Sequence, residues 1–125
     1  MNHRMRRRPA SERGAVTAEL ALGLPMLVAV TIGLVWLLSV GAAQIRTVDA
    51  ARETARAVAR GDDVGAAVTR GHRVAPDGAE VAVSSADGQV VATSSAEVDG
   101  PGGLFGFLPA VTVRAEAVAV DEESE

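Results

Sequence analysis

An uncharged stretch from Leu20 to Ile45 constrains this chain more than any other part of it. Its 26 residues exceed the roughly 20 helical residues that cross a bilayer core of about 30 Å. A single acid, Glu19, opens the run, and Gly23 and Pro25 interrupt it near that end. A carboxylate at the mouth of an apolar helix costs free energy unless a partner compensates it. Proline in a membrane helix bends the helix rather than ending it, so a kink is expected at Pro25.

Charge is distributed unevenly around this run. Arg4, Arg6, Arg7, Arg8 and Arg13 precede it, against Glu12 alone, whereas residues 46–125 carry seven arginines against fourteen acids. Short basic flanks stay on the cytoplasmic side, which places the N-terminus inside and the C-terminal part outside. The roughly 80 residues after Ile45 hold Phe105 and Phe107 as their only aromatics and Leu104 and Leu108 as their only leucines. Alanine and valine supply most of the rest. Burial contributes only about 25 cal/mol per Å², so such a region is marginal alone and leans on a partner or on self-assembly. Without cysteine there is neither a disulfide framework nor a thiolate metal site.

Periodicity sets the organisation. One long helix is expected from about Ala15 to Arg60, of which residues 15–45 would span roughly 46 Å at 1.5 Å per residue. Tilt, the kink or protein packing must absorb that excess length. Past the apolar run, Gln44, Val48, Ala51, Ala55 and Val58 form one stripe at spacings of four and three. Asp49–Arg52 and Glu53–Arg56 stand at i,i+3 distance on the other faces. Gly61 suits a helix C-cap, and Asp62 the N-cap of a short second helix ending near Gly71. Beyond Pro76 the period becomes two. Val81 and Val83 alternate with small polar residues, Asp87-Gly88 signals a tight hairpin before residues 89–94, and the run Val111–Val120 alternates again.

The expected fold is therefore α+β: a long N-terminal helix, transmembrane and then amphipathic, a short second helix and a small antiparallel three-stranded sheet. The chain divides into a basic leader (1–14), a transmembrane helix (15–45), a helical extension with a second helix (46–75), a β region outside the membrane (76–120) and a disordered acidic tail (121–125). The segment between the last two strands is rich in Gly and Pro and reads as a loop. Its Leu104, Phe105, Phe107 and Leu108 either cover the open side of the sheet or form an exposed apolar contact site.

Little in the chain points to catalysis. His3 and His72 stand alone, with no neighbours that complete a metal set. Gly100-Pro101-Gly102-Gly103 lacks the following lysine of a phosphate cradle. The arginines of the helical extension are interleaved with acids, which argues against a nucleic-acid surface. No nucleophile–base set or carboxylate pair can be assembled, so no enzyme activity and no cofactor is expected.

Two segments together carry a family resemblance. The first is Gly14-Ala15-Val16-Thr17-Ala18-Glu19 behind the arginine cluster, leading directly into Leu20-Ala21-Leu22-Gly23-Leu24-Pro25. The second is the alanine- and arginine-rich run from Val48 to Arg60, with Ala50-Ala51-Arg52-Glu53 followed by Ala55-Arg56-Ala57. In this order the two resemble the TadE-like family, minor pilins or pseudopilins of tight-adherence (Tad) pilus systems. The resemblance covers about residues 13–60. It implies a prepilin peptidase that cuts after Gly14 and leaves Ala15 as the new N-terminus, with Glu19 at the fifth mature position. It implies further that Glu19 pairs with the free amine of a neighbouring subunit, and that other Tad pilus subunits and membrane lipid are the partners. Leu20 follows the acid where major pilins usually have an aromatic, which favours a minor component. Two other readings compete. Val40-Gly41-Ala42 before Ala43 satisfies the small-residue rule of a signal peptidase, although an ordinary signal core is only about 7–15 residues long. A plain single-span anchor is the third.

Overall fold

The protein is described here by a computed structural model covering residues 10–122. The first nine residues, with His3 and four of the leader arginines, lie outside the described residues, as do residues 123–125 of the expected acidic tail. The element order is α1 (Ala10–Ala59), α2 (Val64–Val74), β1 (Glu80–Ala86), β2 (Gln89–Val98), a single 3₁₀ turn (Gly103–Phe105) and β3 (Val111–Val120). The α+β class and the three-stranded antiparallel sheet expected from the sequence are both present.

Helix α1 is 50 residues long and passes through Pro25 without ending. It starts at Ala10 rather than near Ala15, inside the stretch read as the basic leader. Glu12 lies in its first turn, where a carboxylate meets the positive end of the helix dipole. The chain divides into two compact units between Leu34 and Val35. Among the described residues the first is helix alone. The second contains the rest of α1, α2 and the sheet.

At the C-terminus of α1, Gly61 fulfils the cap expected of it. It adopts a φ of 92°. Its N–H donates to the Val58 carbonyl at 2.9 Å, and the Asp62 N–H to the Ala57 carbonyl at 3.1 Å. These two bonds make a Schellman cap, which needs a left-handed residue at this point. The next cap corrects the sequence reading. Asp63, not Asp62, is the N-cap of α2, its carboxylate accepting from the Ala66 N–H at 3.1 Å. Asp62 instead faces Arg70 at 2.8 Å and Arg60 at 3.9 Å, and an acid held by two guanidinium groups is not available to the helix end. Helix α2 also runs past Gly71 to Val74. Gly71 is not a terminator but a point of close contact: a Cβ on it would overlap the Thr54 hydroxyl of α1.

Strands β1 and β2 pair Ala86 with Gln89 across a two-residue turn. Asp87 and Gly88 there have φ of 53° and 73°, the left-handed pair that a twisted hairpin requires. Strand β2 continues to Val98, four residues beyond the expected end, because β3 pairs with it along its full length from Gln89↔Val120 to Val98↔Val111. The inner face of the sheet consists of Val90, Ala92, Ser94 and Ala96 on β2 with Val113 on β3, all buried. Ala43 and Ala50 of α1 join Ala96, Val113, Ala75 and Ala79 in the core, flanked by Val40, Val74, Val81 and Val98. A core of such small side chains supplies little apolar area per residue, so its stability depends on close approach.

The buried stripe of α1 is rotated from the expected one. Its deepest members are Thr47, Ala50, Ala51, Thr54 and Ala57, whereas Gln44, Val48 and Val58 are only half-buried. Two threonines sit at the bottom because their hydroxyls are satisfied within the helix. Thr47 donates to the Ala43 carbonyl at 2.7 Å and Thr54 to the Ala50 carbonyl at 2.8 Å, which removes the penalty for burying a polar group. The i,i+3 pairs Asp49–Arg52 and Glu53–Arg56 do not close to ion-pair distance.

Candidate functional site

The N-terminal half of α1 is bare of tertiary contact. Its most hydrophobic window has no buried residue, and α1 is the one helix among the described residues long and apolar enough to cross a membrane. Large apolar side chains project all round it, from 43 % exposed at Ile32 to 77 % at Leu22. A soluble helix would bury one such face. Within the apolar stretch the hydroxyls turn inward: Thr31 donates to the Leu27 carbonyl at 2.8 Å and Ser39 to the Val35 carbonyl at 3.0 Å. Internal satisfaction of this kind is what a helix in hydrocarbon demands. By length, composition and exposure this helix fits a single-pass membrane anchor.

Gly14, Ala15, Glu19 and Pro25 all lie on this helix and are exposed. Gly14 has open space where a side chain would stand. Glu19 makes no hydrogen bond or ion pair among the described residues, and its neighbours on the helix are Val16, Leu20 and Leu22. The structure therefore brings none of the four into a pocket. They line an uncovered surface, with the carboxylate as its acidic group.

Trp36 is a residue whose role the sequence did not reveal. Its indole N–H donates to the Asp99 carbonyl at 2.9 Å, across 63 residues of sequence. The bond ties α1 to the start of the loop between β2 and β3. Next along the helix, Gln44 Nε2 donates to the Arg114 carbonyl of β3 at 3.3 Å. Arg46 then reaches the C-terminal end of α2, donating to the carbonyls of Val74 and Ala75 at 3.1 and 2.8 Å. A cation on the last carbonyls of a helix satisfies groups that have no partner within it. The signal available for Trp36 was that it is the chain's single tryptophan, whose indole N–H needs a hydrogen-bond partner in apolar surroundings.

Further along, α1 and α2 enclose a groove of about 460 Å³ lined by Asp49, Arg52, Glu53, Arg56, Arg70, Arg73 and Val74. Four arginines from two helices converge there, which spacing along one helix could not show. Two acids stand among them. No cluster of His, Asp or Glu that could hold a metal ion occurs among the described residues.

The comparisons with known proteins agree with the motif reading. Residues 14–56 match the family of TadE-like proteins. The matched span opens at Gly14, takes in Glu19 and Pro25, and closes in the alanine- and arginine-rich stretch at Arg56. No curated protein and no solved structure matches the chain. The similarity to TadE-like proteins spans residues 14–56, which include the apolar helix and its acidic entrance.

Proposed function

We propose that this protein is a non-enzymatic, TadE-like minor pilin or pseudopilin, anchored in the cytoplasmic membrane by α1 and taking part in Tad pilus assembly at the cell envelope. The observation that carries this reading is the family match over residues 14–56, on a helix whose most hydrophobic window has no buried residue. A prepilin peptidase cuts after Gly14 and frees the Ala15 amine. Glu19, one helical turn away and without a hydrogen-bond or ion-pair partner among the described residues, meets the amine of a neighbouring subunit, which compensates a charge that hydrocarbon would otherwise penalise. Pro25 removes one N–H from the helix ladder and lets the embedded segment bend. The basic leader stays inside, and the sheet-bearing unit lies outside.

The competing signal-peptidase site fits the fold poorly. A cut after Ala42 would fall inside unbroken α1 and would remove Trp36 and Val40 from the unit they help to hold. Intact mass of the protein extracted from its native membrane tests the proposal. A mature chain starting at Ala15 is expected. A start at Ala43 would make the protein a secreted one and overturn the pilin reading, and an uncut chain would reduce α1 to a plain anchor.

A further inference from the structure

The loop between β2 and β3 carries an apolar surface that the pilus reading does not use. Residues 100–110 contain no charged side chain. Phe107 is 77 % exposed, and its ring lies 6.4 Å from that of half-buried Phe105. In a unit with a net negative formal charge, an exposed aromatic on an uncharged loop asks what covers it.

The position of the loop supplies the answer. Its first carbonyl, that of Asp99, is held by the Trp36 indole at 2.9 Å. From Trp36 onward α1 gains buried residues, Ala43, Thr47 and Ala50, while Leu37, Leu38 and Ile45 stay as exposed as the large side chains before it. The loop is thus pinned to a stretch of α1 that still exposes large apolar side chains. Tryptophan is favoured where hydrocarbon meets water, because its ring is apolar and its N–H needs a partner.

The loop backbone also suits a poorly hydrated layer. The Phe105 N–H donates to the Gly102 carbonyl at 3.0 Å, Gly106 to Gly103 at 3.1 Å and Leu108 to Phe105 at 2.9 Å. Three donors are therefore satisfied within the loop, which lowers the cost of leaving water. Apolar side chains, absent charge, internal hydrogen bonding and continuity with the anchor all point to the same occupant.

We propose that loop 100–110 is a second membrane contact, with Phe107 seated in the interfacial layer of the bilayer that α1 enters. The proposal rests on α1 being a membrane anchor and does not depend on cleavage or on assembly into a pilus.

The chain has no cysteine, so a nitroxide can be placed on a single introduced thiol of the full-length protein. Phe107→Cys, Ile32→Cys and Ser84→Cys would be labelled separately in phospholipid vesicles. Relaxation by oxygen, which concentrates in lipid, is then compared with relaxation by a water-soluble nickel chelate. The expected result is that oxygen dominates at positions 32 and 107 and the chelate at 84. A lipid-like label at 32 with a water-like label at 107 overturns the loop contact and leaves the anchor standing. A label at 107 that is immobile and shielded from both reagents also overturns it, since it would mark a protein partner. A water-like label at 32 overturns the anchor and the loop contact together.

Discussion

Gly71 faces Thr54 where α2 crosses α1, and the space a methyl group on Gly71 would need is already filled by the Thr54 hydroxyl. Val81 Cγ1 and the Ala50 carbonyl lie 3.3 and 3.5 Å from the same point, so neither helix can move aside without disturbing the sheet. Gly71→Ala is expected to destabilise the folded unit by about 1–3 kcal/mol through overpacking. Thermal unfolding of the detergent-solubilised protein would measure the loss. Combining it with Thr54→Ser, which keeps the hydroxyl, should recover little, whereas Thr54→Ala should recover part of it. A purely additive cycle with Thr54→Ala would mean that the two side chains do not meet.

Ser94 presents the opposite case. It is fully buried in the middle of β2, and its hydroxyl has no hydrogen-bond partner among the described residues. An unsatisfied buried hydroxyl costs roughly 1–3 kcal/mol, so Ser94→Ala should raise stability by about 1 kcal/mol. The same melting experiment reads it out as an increase in Tm. Ser94→Val adds two methyl groups to a site among small residues and should lower it.

Arg46 joins α1 to the end of α2 through two carbonyls. Replacing it with Met keeps most of the apolar stem and removes both donors. A loss of about 1–2 kcal/mol is expected, at the low end for a charged hydrogen bond because the side chain is largely exposed. Hydrogen exchange should show the last turn of α2 opening more readily while the β2–β3 pairing keeps its protection.

Trp36→Phe keeps an aromatic ring and deletes the N–H that reaches Asp99. The folded unit should lose about 1 kcal/mol, as for one ordinary hydrogen bond. Limited proteolysis should find loop 100–110 cut faster than in the unaltered protein. An unchanged cleavage rate would show that the tether does not order the loop.

Glu19→Gln should leave folding untouched, because the residue is exposed and makes no hydrogen bond or ion pair among the described residues. Under the proposed function the substitution abolishes incorporation into the pilus apparatus, measured by co-fractionation with the other pilus subunits in the native host. Glu19→Asp, which keeps the charge on a shorter side chain, should retain part of it. Full incorporation of the Gln variant would leave α1 as an anchor only.

These outcomes separate what local chemistry encodes from what packing adds. The long apolar helix, the Gly61 cap, the Asp87-Gly88 hairpin and the alternation of β3 were all legible, because each depends on residues within a few positions of one another. Gly14, Glu19 and Pro25 belong to one short motif beside an apolar run, and the family match opens on that motif. Tertiary structure alone decided that Asp63 rather than Asp62 caps α2, since Arg70 had to be folded back before it could claim Asp62. It also rotated the buried stripe of α1 onto Thr47 and Thr54, whose hydroxyls find carbonyls one turn back and so behave as small apolar residues. The contacts of Trp36, Arg46 and Gly71 join positions far apart in sequence, and in a chain built mainly of alanine and valine side-chain size cannot indicate which residues will meet. By itself the sequence determined the anchor and the order of the elements; the fit between their small side chains was settled only where the elements pack.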